Sequence, residues 1–252
     1  MPGVPSEPLD LLAVGAHPDD VEISCGGTLA LATRQGLRVG ILDLTRGELG
    51  TNGTPEMRAR EAEAAAKHLG VAGRWNAALP DGGLVASDPS QTAEAVAWIR
   101  RLRPAVLLTH FHRDRHPDHV AASALLQRAS YLAGLRRYEP STEAHRPRAL
   151  YRFASRIGFT PSFVVDVSEA WESKRLAILA HASQVSPDTP DAKATPLNNP
   201  DFFDRVESRG RHYGAMIGAR YGEPFHSEDP IGVRSLSEFL GAPRVAPGSF
   251  TG

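Results

Sequence analysis

The chain has 252 residues, with 28 Lys and Arg against 29 Asp and Glu, 41% hydrophobic residues and a single cysteine. That length fits one α/β domain over 1–252, its core expected over 9–230 between short flexible termini. A net charge of −1 argues against nucleic acid or a membrane surface as partner, and one cysteine excludes an internal disulfide and suits a cytoplasmic setting.

In chain order, "MPGVPSEPLD" lacks the character of a signal peptide, and no later run is apolar for long enough to span a bilayer. "LDLLAVGAH" (9–17) is an apolar run closing on polar residues, the pattern of a buried parallel strand. "GGTLALATRQG" (26–36) has helical spacing and ends on Gly36, a candidate C-cap. "RVGILDLT" (38–45) reads as a second buried strand, which completes a βαβ unit. "TPEMRAREAEAAAKHLG" (54–70) is a helix with Thr54 as N-cap, Pro55 at its first position and Gly70 at its end. "SQTAEAVAWIRRLRP" (90–104) is a helix stopped by Pro104, "AVLLTH" (105–110) a buried strand, and "DHVAASALLQRASYLAG" (118–134) again a helix. "RALYRF" and "PSFVVDV" predict two further strands, and "SEAWESKRLAILAHAS" (168–183) a helix with Ser168 as N-cap. Four prolines make 184–200 irregular, a candidate substrate lid or subunit contact, before a last helix over 201–222. The alternation predicts a Rossmann-like α/β fold, a mostly parallel sheet flanked by helices in a single domain.

Open α/β sheets bind ligands beyond the carboxyl ends of their strands. "HPDD" (17–20) and "HFHRDRHPDH" (110–119) both follow predicted strands and so fall on one edge of the sheet. Two histidines, one carboxylate and an open position make an arrangement used by hydrolytic zinc enzymes. His17 and Asp20, spaced i and i+3, can be aimed at one ion by a tight turn, leaving Asp19 beside it for another task. Such ligands also accept Fe2+ or Co2+. Spacing alone leaves open which of His116 and His119 ligates. His110 ends a buried strand and is expected to be a core histidine, and His112 a solvated loop residue. Cys25 has no CxxC partner and is expected to pack in the core, His226 to lie at the surface, and Gly26-Gly27 to turn the backbone into the first helix. The absence of GxGxxG argues against dinucleotide binding.

"AHPDDVE" together with "HRDRHPDH", about a hundred residues apart, resembles the PIG-L/LmbE family of zinc-dependent N-acetylglucosaminyl deacetylases. "LTRGELGTNGTPEMR" (44–58), "LPDGGL" (79–84) and "FTPSFVVDVSEAWESKRLAILAHASQ" (159–184) look like its bacillithiol-biosynthesis branch, which deacetylates N-acetylglucosaminyl L-malate. The resemblance covers roughly 9–230. It implies one zinc ion per subunit on His17, Asp20 and His119, with Asp19 as general base, His116 stabilising the oxyanion and Asp118 orienting or charging His116. It further implies Arg58 and Arg115 as partners of the malate carboxylates and Asp81 as acceptor for sugar hydroxyls. The implied partners are a small sugar conjugate and further copies of the chain, in a trimer or hexamer. Pro18 departs from this branch, which often has alanine there. The alternatives are deacetylation of another acetamido sugar, such as N-acetylglucosamine or a chitobiose-type disaccharide, and a non-catalytic sugar- or nucleotide-binding module. A binding module predicts loss of Asp19 or of a ligand. A metal phosphoesterase requires more ligands than one ion needs.

Overall fold

Side chains along the first strand, β1 (Leu11–Gly15), alternate between two apolar cores. Leu12 and Val14 join Ile99, Leu107 and Leu125 on one face of the sheet, and Ala13 joins Val21, Ile41 and Leu108 on the other. With both faces buried, the strand reads as an unbroken apolar run. The computed structural model describes residues 7–187 and 192–232. After β1 come α1 (Asp20–Arg34), β2 (Val39–Thr45), α2 (Pro55–Leu69), β3 (Gly73–Leu79), α3 (Pro89–Leu102), β4 (Val106–His110) and α4 (Pro117–Ala133). They are followed by β5 (Ala149–Phe153), β6 (Phe163–Asp166), a 3₁₀ turn (Ser168–Ala170), α5 (Trp171–Ala180), α6 (Ala182–Val185), α7 (Phe202–Met216) and β7 (Gly222–His226).

The seven strands form one sheet in the order β3-β2-β1-β4-β5-β7-β6. The first five in that order are parallel, and β7 runs antiparallel to both β5 and β6. Helices α3 and α4 cover one face; α1, α2 and α5 cover the other. The chain steps outward from β1 to β2 and β3, then returns to set β4 on the other side of β1. Ligands of such sheets bind at this reversal. It brings the segments after β1 and β4 side by side. Among the described residues no helix is long and apolar enough to cross a membrane.

Several elements differ from the sequence expectation. Strands β3 and β7 carry buried charges that conceal their pattern: Arg74 of β3 pairs with Asp43 and Glu22, and Glu223 of β7 with Lys174. Helix α1 starts at Asp20, ahead of the expected Gly26, so Gly26-Gly27 lie inside a helix and form no turn. Its backbone breaks at Cys25 (φ −137°, ψ 19°), and the amides of Gly27 and Thr28 donate to the Glu223 carboxylate at 3.0 and 2.7 Å. A Cβ on Gly27 would lie 2.8 Å from Val167 Cβ, so this close approach requires glycine. Cys25 itself packs in the core, where burial pushes its thiol pKa well up.

Ser168 does not cap α5. Its Oγ donates to Asp166 at 2.6 Å and accepts the Tyr221 amide at 3.1 Å, and α5 starts at Trp171. Helix α7 stops at Met216. Within 184–200, α6 ends at Val185, and residues 188–191 lie outside the described residues. Helix α2 has the expected ends: Thr54 Oγ accepts the Met57 amide at 3.2 Å, and Gly70 closes the helix at φ +70°.

Candidate metal centre

Directly after β1 the chain bends back on itself. The His17 amide donates to Asp20 Oδ2 at 2.8 Å, and the Asp20 amide to the His17 carbonyl at 3.3 Å. Asp19, between them, is held at φ +120°, a conformation that costs a non-glycine residue about 1–3 kcal/mol and persists only where its surroundings impose it. Arg58 supplies part of that constraint. Its Nη2 donates to the Pro18 carbonyl at 2.6 Å and to Asp19 Oδ2 at 3.3 Å, and its Nη1 to the Gly47 carbonyl at 3.0 Å. Burial raises the Asp19 pKa to about 6 even with Arg58 opposing it.

The segment after β4 supplies the other half. Asp20 lies between two histidines, with Oδ2 3.3 Å from His17 Nδ1 and Oδ1 3.1 Å from His119 Nε2. The far nitrogen of each ring meets carboxylates in turn. His17 Nε2 is 3.0 Å from Asp81 and 3.3 Å from Asp118, and His119 Nδ1 is 3.3 Å from Asp114. Carboxylates behind ligating imidazoles fix the ring tautomer and raise its basicity.

Charge balance also points to a cation. Burial lowers the His17 pKa, but Asp118, Asp20 and Asp81 outweigh it and bring the group to about 12. Burial likewise lowers the His119 pKa, but Asp20 and Asp114 outweigh it and bring the group to about 9. Carboxylates thus outnumber the cations at this point, and a divalent ion can replace the protons the histidines would otherwise hold. Among the described residues three overlapping donor groups have their ligand atoms within 4.8 Å of one another: His17, His116 and His119; Asp20, His110 and His119; and His17, Asp81 and Asp118. The set expected from sequence, His17, Asp20 and His119, is not one of these groups; it straddles the first two. This donor chemistry fits zinc, and equally iron or cobalt.

His110 is fully buried as expected, with Nδ1 3.2 Å from Ser155 Oγ and Nε2 accepting the Ala16 amide at 3.0 Å. It nevertheless supports the site from behind, since its ring stacks on His119 at 4.0 Å and Nε2 lies 3.3 Å from Asp20. The Ala16 amide occupies the Nε2 lone pair that a metal would need. His116 caps α4: its Nδ1 accepts the Asp118 amide at 3.3 Å, so that nitrogen carries no proton and Nε2 carries the N–H. The Asp118 carboxylate faces His17 and the amides of Gly82 and Leu84, at 2.7 and 3.3 Å, and not the His116 ring. Burial and the nearby His17 and His119 lower the His116 pKa.

These groups, His110 and Asp118 excepted, line a cavity of about 1,070 Å³, large for a single small-molecule site. The three residues expected to bind substrate also line it, in different states. Arg58 is buried and engaged by two carbonyls and Asp19. Asp81 takes His17 on Oδ1 and the Leu49 amide, at 2.8 Å, on Oδ2. Arg115 is exposed, and its neighbour Asp114 faces His119. His112 is exposed, its ring tilted against Phe111 at 4.1 Å, while His226 ends β7 among Phe111, Phe159 and His112. Sequence reasoning leaves out Asp114, whose adjacency to the "HPDH" motif is its one signal, and the whole contribution of α7, which no motif marks.

Residues 12–130 match the family described as PIG-L, GlcNAc-PI de-N-acetylase. A curated 1D-myo-inositol 2-acetamido-2-deoxy-alpha-D-glucopyranoside deacetylase of Catenulispora acidiphila is 29% identical over 72% of this chain and 81% of its own. Diacetylchitobiose deacetylase of Thermococcus kodakarensis is 28% identical over 84% and 80%. Among solved structures, the conserved protein TT1542 from Thermus thermophilus superposes with a TM-score of 0.82 at 41% identity, over 89% of this chain and 97% of that one.

Proposed function

Because the chain belongs to the PIG-L family, we propose that it is a metal-dependent hydrolase that removes acetate from an N-acetylglucosaminyl conjugate. The observation that carries this reading is the Asp20 carboxylate between His17 and His119, with the strained, buried Asp19 beside it. His17, Asp20 and His119 would hold the ion, which when bound polarises the amide carbonyl and acidifies a water molecule. Zinc suits the set, though the ligands admit iron or cobalt.

Asp19 takes the proton of the attacking water as the C–O bond forms, then passes it to the amine nitrogen as the C–N bond breaks. Arg58 keeps its carboxylate ionised and aimed. With Nδ1 committed to the helix cap, His116 presents Nε2–H to the developing oxyanion as a neutral donor. Asp118 and Asp81 orient His17, and Asp114 orients His119; this gives Asp118 a role different from that implied by the resemblance. The favoured conjugate is N-acetylglucosaminyl L-malate, as in bacillithiol biosynthesis, because Arg115 brings to the cavity a guanidinium with no partner among the described residues.

Amine release from N-acetylglucosaminyl L-malate and from N-acetylglucosamine, with and without a chelator, tests the proposal. Chelator-sensitive turnover that favours the malate conjugate is expected. Equal turnover of the two keeps the deacetylase and drops malate; no amine from either overturns the reaction itself.

A further inference from the structure

The ionisable groups lining the cavity divide by state as well as by sign. Its aspartates, Asp19, Asp20, Asp81 and Asp114, are all committed to Arg58 or to the histidines. Two of its arginines are committed as well: Arg58 to backbone carbonyls, and Arg209 to the carbonyls of Ser155 and Ile23. Three others are not. Among the described residues the side chains of Arg115 and Arg156 make no hydrogen bond or ion pair, and that of Arg205 makes one hydrogen bond, from Nε to the Asp201 carbonyl at 3.3 Å. All three are exposed.

The remaining exposed arginines of α5 and α7 behave differently. Arg211 pairs with Glu207 and Arg175 with Glu172, each at 2.7 Å. Along α7, Arg205, Arg209 and His212 recur at i, i+4 and i+7, which puts them on one face with Phe202 and Val206, and that face lines the cavity. On these two helices, among the described residues, the outward arginines are neutralised by carboxylates and Arg205, which enters the cavity, is not. Like charges gathered in a cleft repel one another and focus a field that draws anions. Guanidinium forks match the oxygens of carboxylate and phosphate groups.

We propose that Arg156 and Arg205, together with Arg115, form an anion subsite on the cavity walls built by α7 and the loops after β4 and β5, which receives a doubly charged group of the substrate's aglycone. The shared ligand chemistry is a pair of carboxylates or one phosphate. The link to an aglycone rests on the deacetylase reading; the anion site rests on the cavity alone.

The test uses the full chain and the double variant Arg156→Gln/Arg205→Gln, whose exposed side chains support no packing. Values of kcat/KM are read for N-acetylglucosaminyl L-malate, N-acetylglucosamine 1-phosphate and uncharged N-acetylglucosamine. The variant is expected to lose about tenfold or more on the better anionic substrate, mostly in KM, and less than about twofold on the neutral sugar. Added salt should reproduce that selectivity in the wild type. Whichever anionic substrate the wild type prefers names the source. Equal losses on charged and neutral substrates, or no loss at all, overturn the subsite. Calorimetric binding of N-acetylglucosaminyl L-malate and N-acetylglucosamine 1-phosphate separates the two proposals. Arginine-dependent binding without amine release defeats the deacetylase and keeps the subsite; amine release with arginine-independent affinity does the reverse.

Discussion

Two parts of one cavity wall are built on opposite terms. The turn after β1, the start of α4 and Asp81 of the loop after β3 hold the reacting groups in a closed network, in which His17, Asp19, Asp20, Asp81, Asp118 and His119 each have a partner inside the protein. The wall made by α7 and the loop after β5 presents Arg156 and Arg205 with no carboxylate paired to them among the described residues. The difference follows from what each part has to do. Bond-breaking needs groups fixed to within fractions of an ångström, and such fixity comes from satisfied partners. Recognition of a charged substituent needs donors still free to bind it.

That contrast can be broken first at Asp19. Asp19→Ala should retain bound metal yet lose about 10²–10⁴-fold in turnover, measured as metal content beside kcat; activity near the wild-type level would remove Asp19 as the base. The anchoring of α1 comes next. Lys174 and Glu223 are both buried, and Lys174→Met leaves the carboxylate that caps the broken helix without its counter-charge. A loss of about 3–5 kcal/mol in denaturant unfolding is expected, and an unchanged midpoint would show that the fixed wall does not depend on this pair.

Asp118→Asn probes the carboxylates behind the ligands. Metal affinity should fall about 10–100-fold by competition with a chelator, and unaltered affinity would deny Asp118 its hold on His17. The smallest effect concerns pH. Asp19 must be ionised to accept a proton, so kcat/KM should rise with pH through the value of about 6 to which burial brings it. Arg58 opposes that upward shift, so Arg58→Gln should move the acid limb to higher pH; movement to lower pH, or none, would exclude Arg58 as the partner that keeps the base ionised.

The sequence alone determined β1, β2 and β4 of the parallel half of the sheet, because strands buried on both faces are largely apolar, as "LLAVG" is throughout and "VGILDLT" is apart from Asp43 and Thr45. It also determined the ends of α2, where Thr54 and Gly70 act through their own backbone, and the grouping of "HPDD" with "HPDH" on one edge. These features depend on neighbours in the chain or on one topological rule. What needed tertiary structure depends on partners far apart in sequence. Strands β3 and β7 were hidden because Arg74 and Glu223 find their counter-charges on α1, β2 and α5. Arg58 reads as a surface clamp until the carbonyls of Pro18 and Gly47 close on it, and Asp118 belongs to His17 across 101 positions rather than to the histidine beside it. The basic wall was the least legible, since single arginines carry no periodic signal. Only the packing of α7 over the sheet edge brings Arg205 to the same cavity as Arg115 and Arg156.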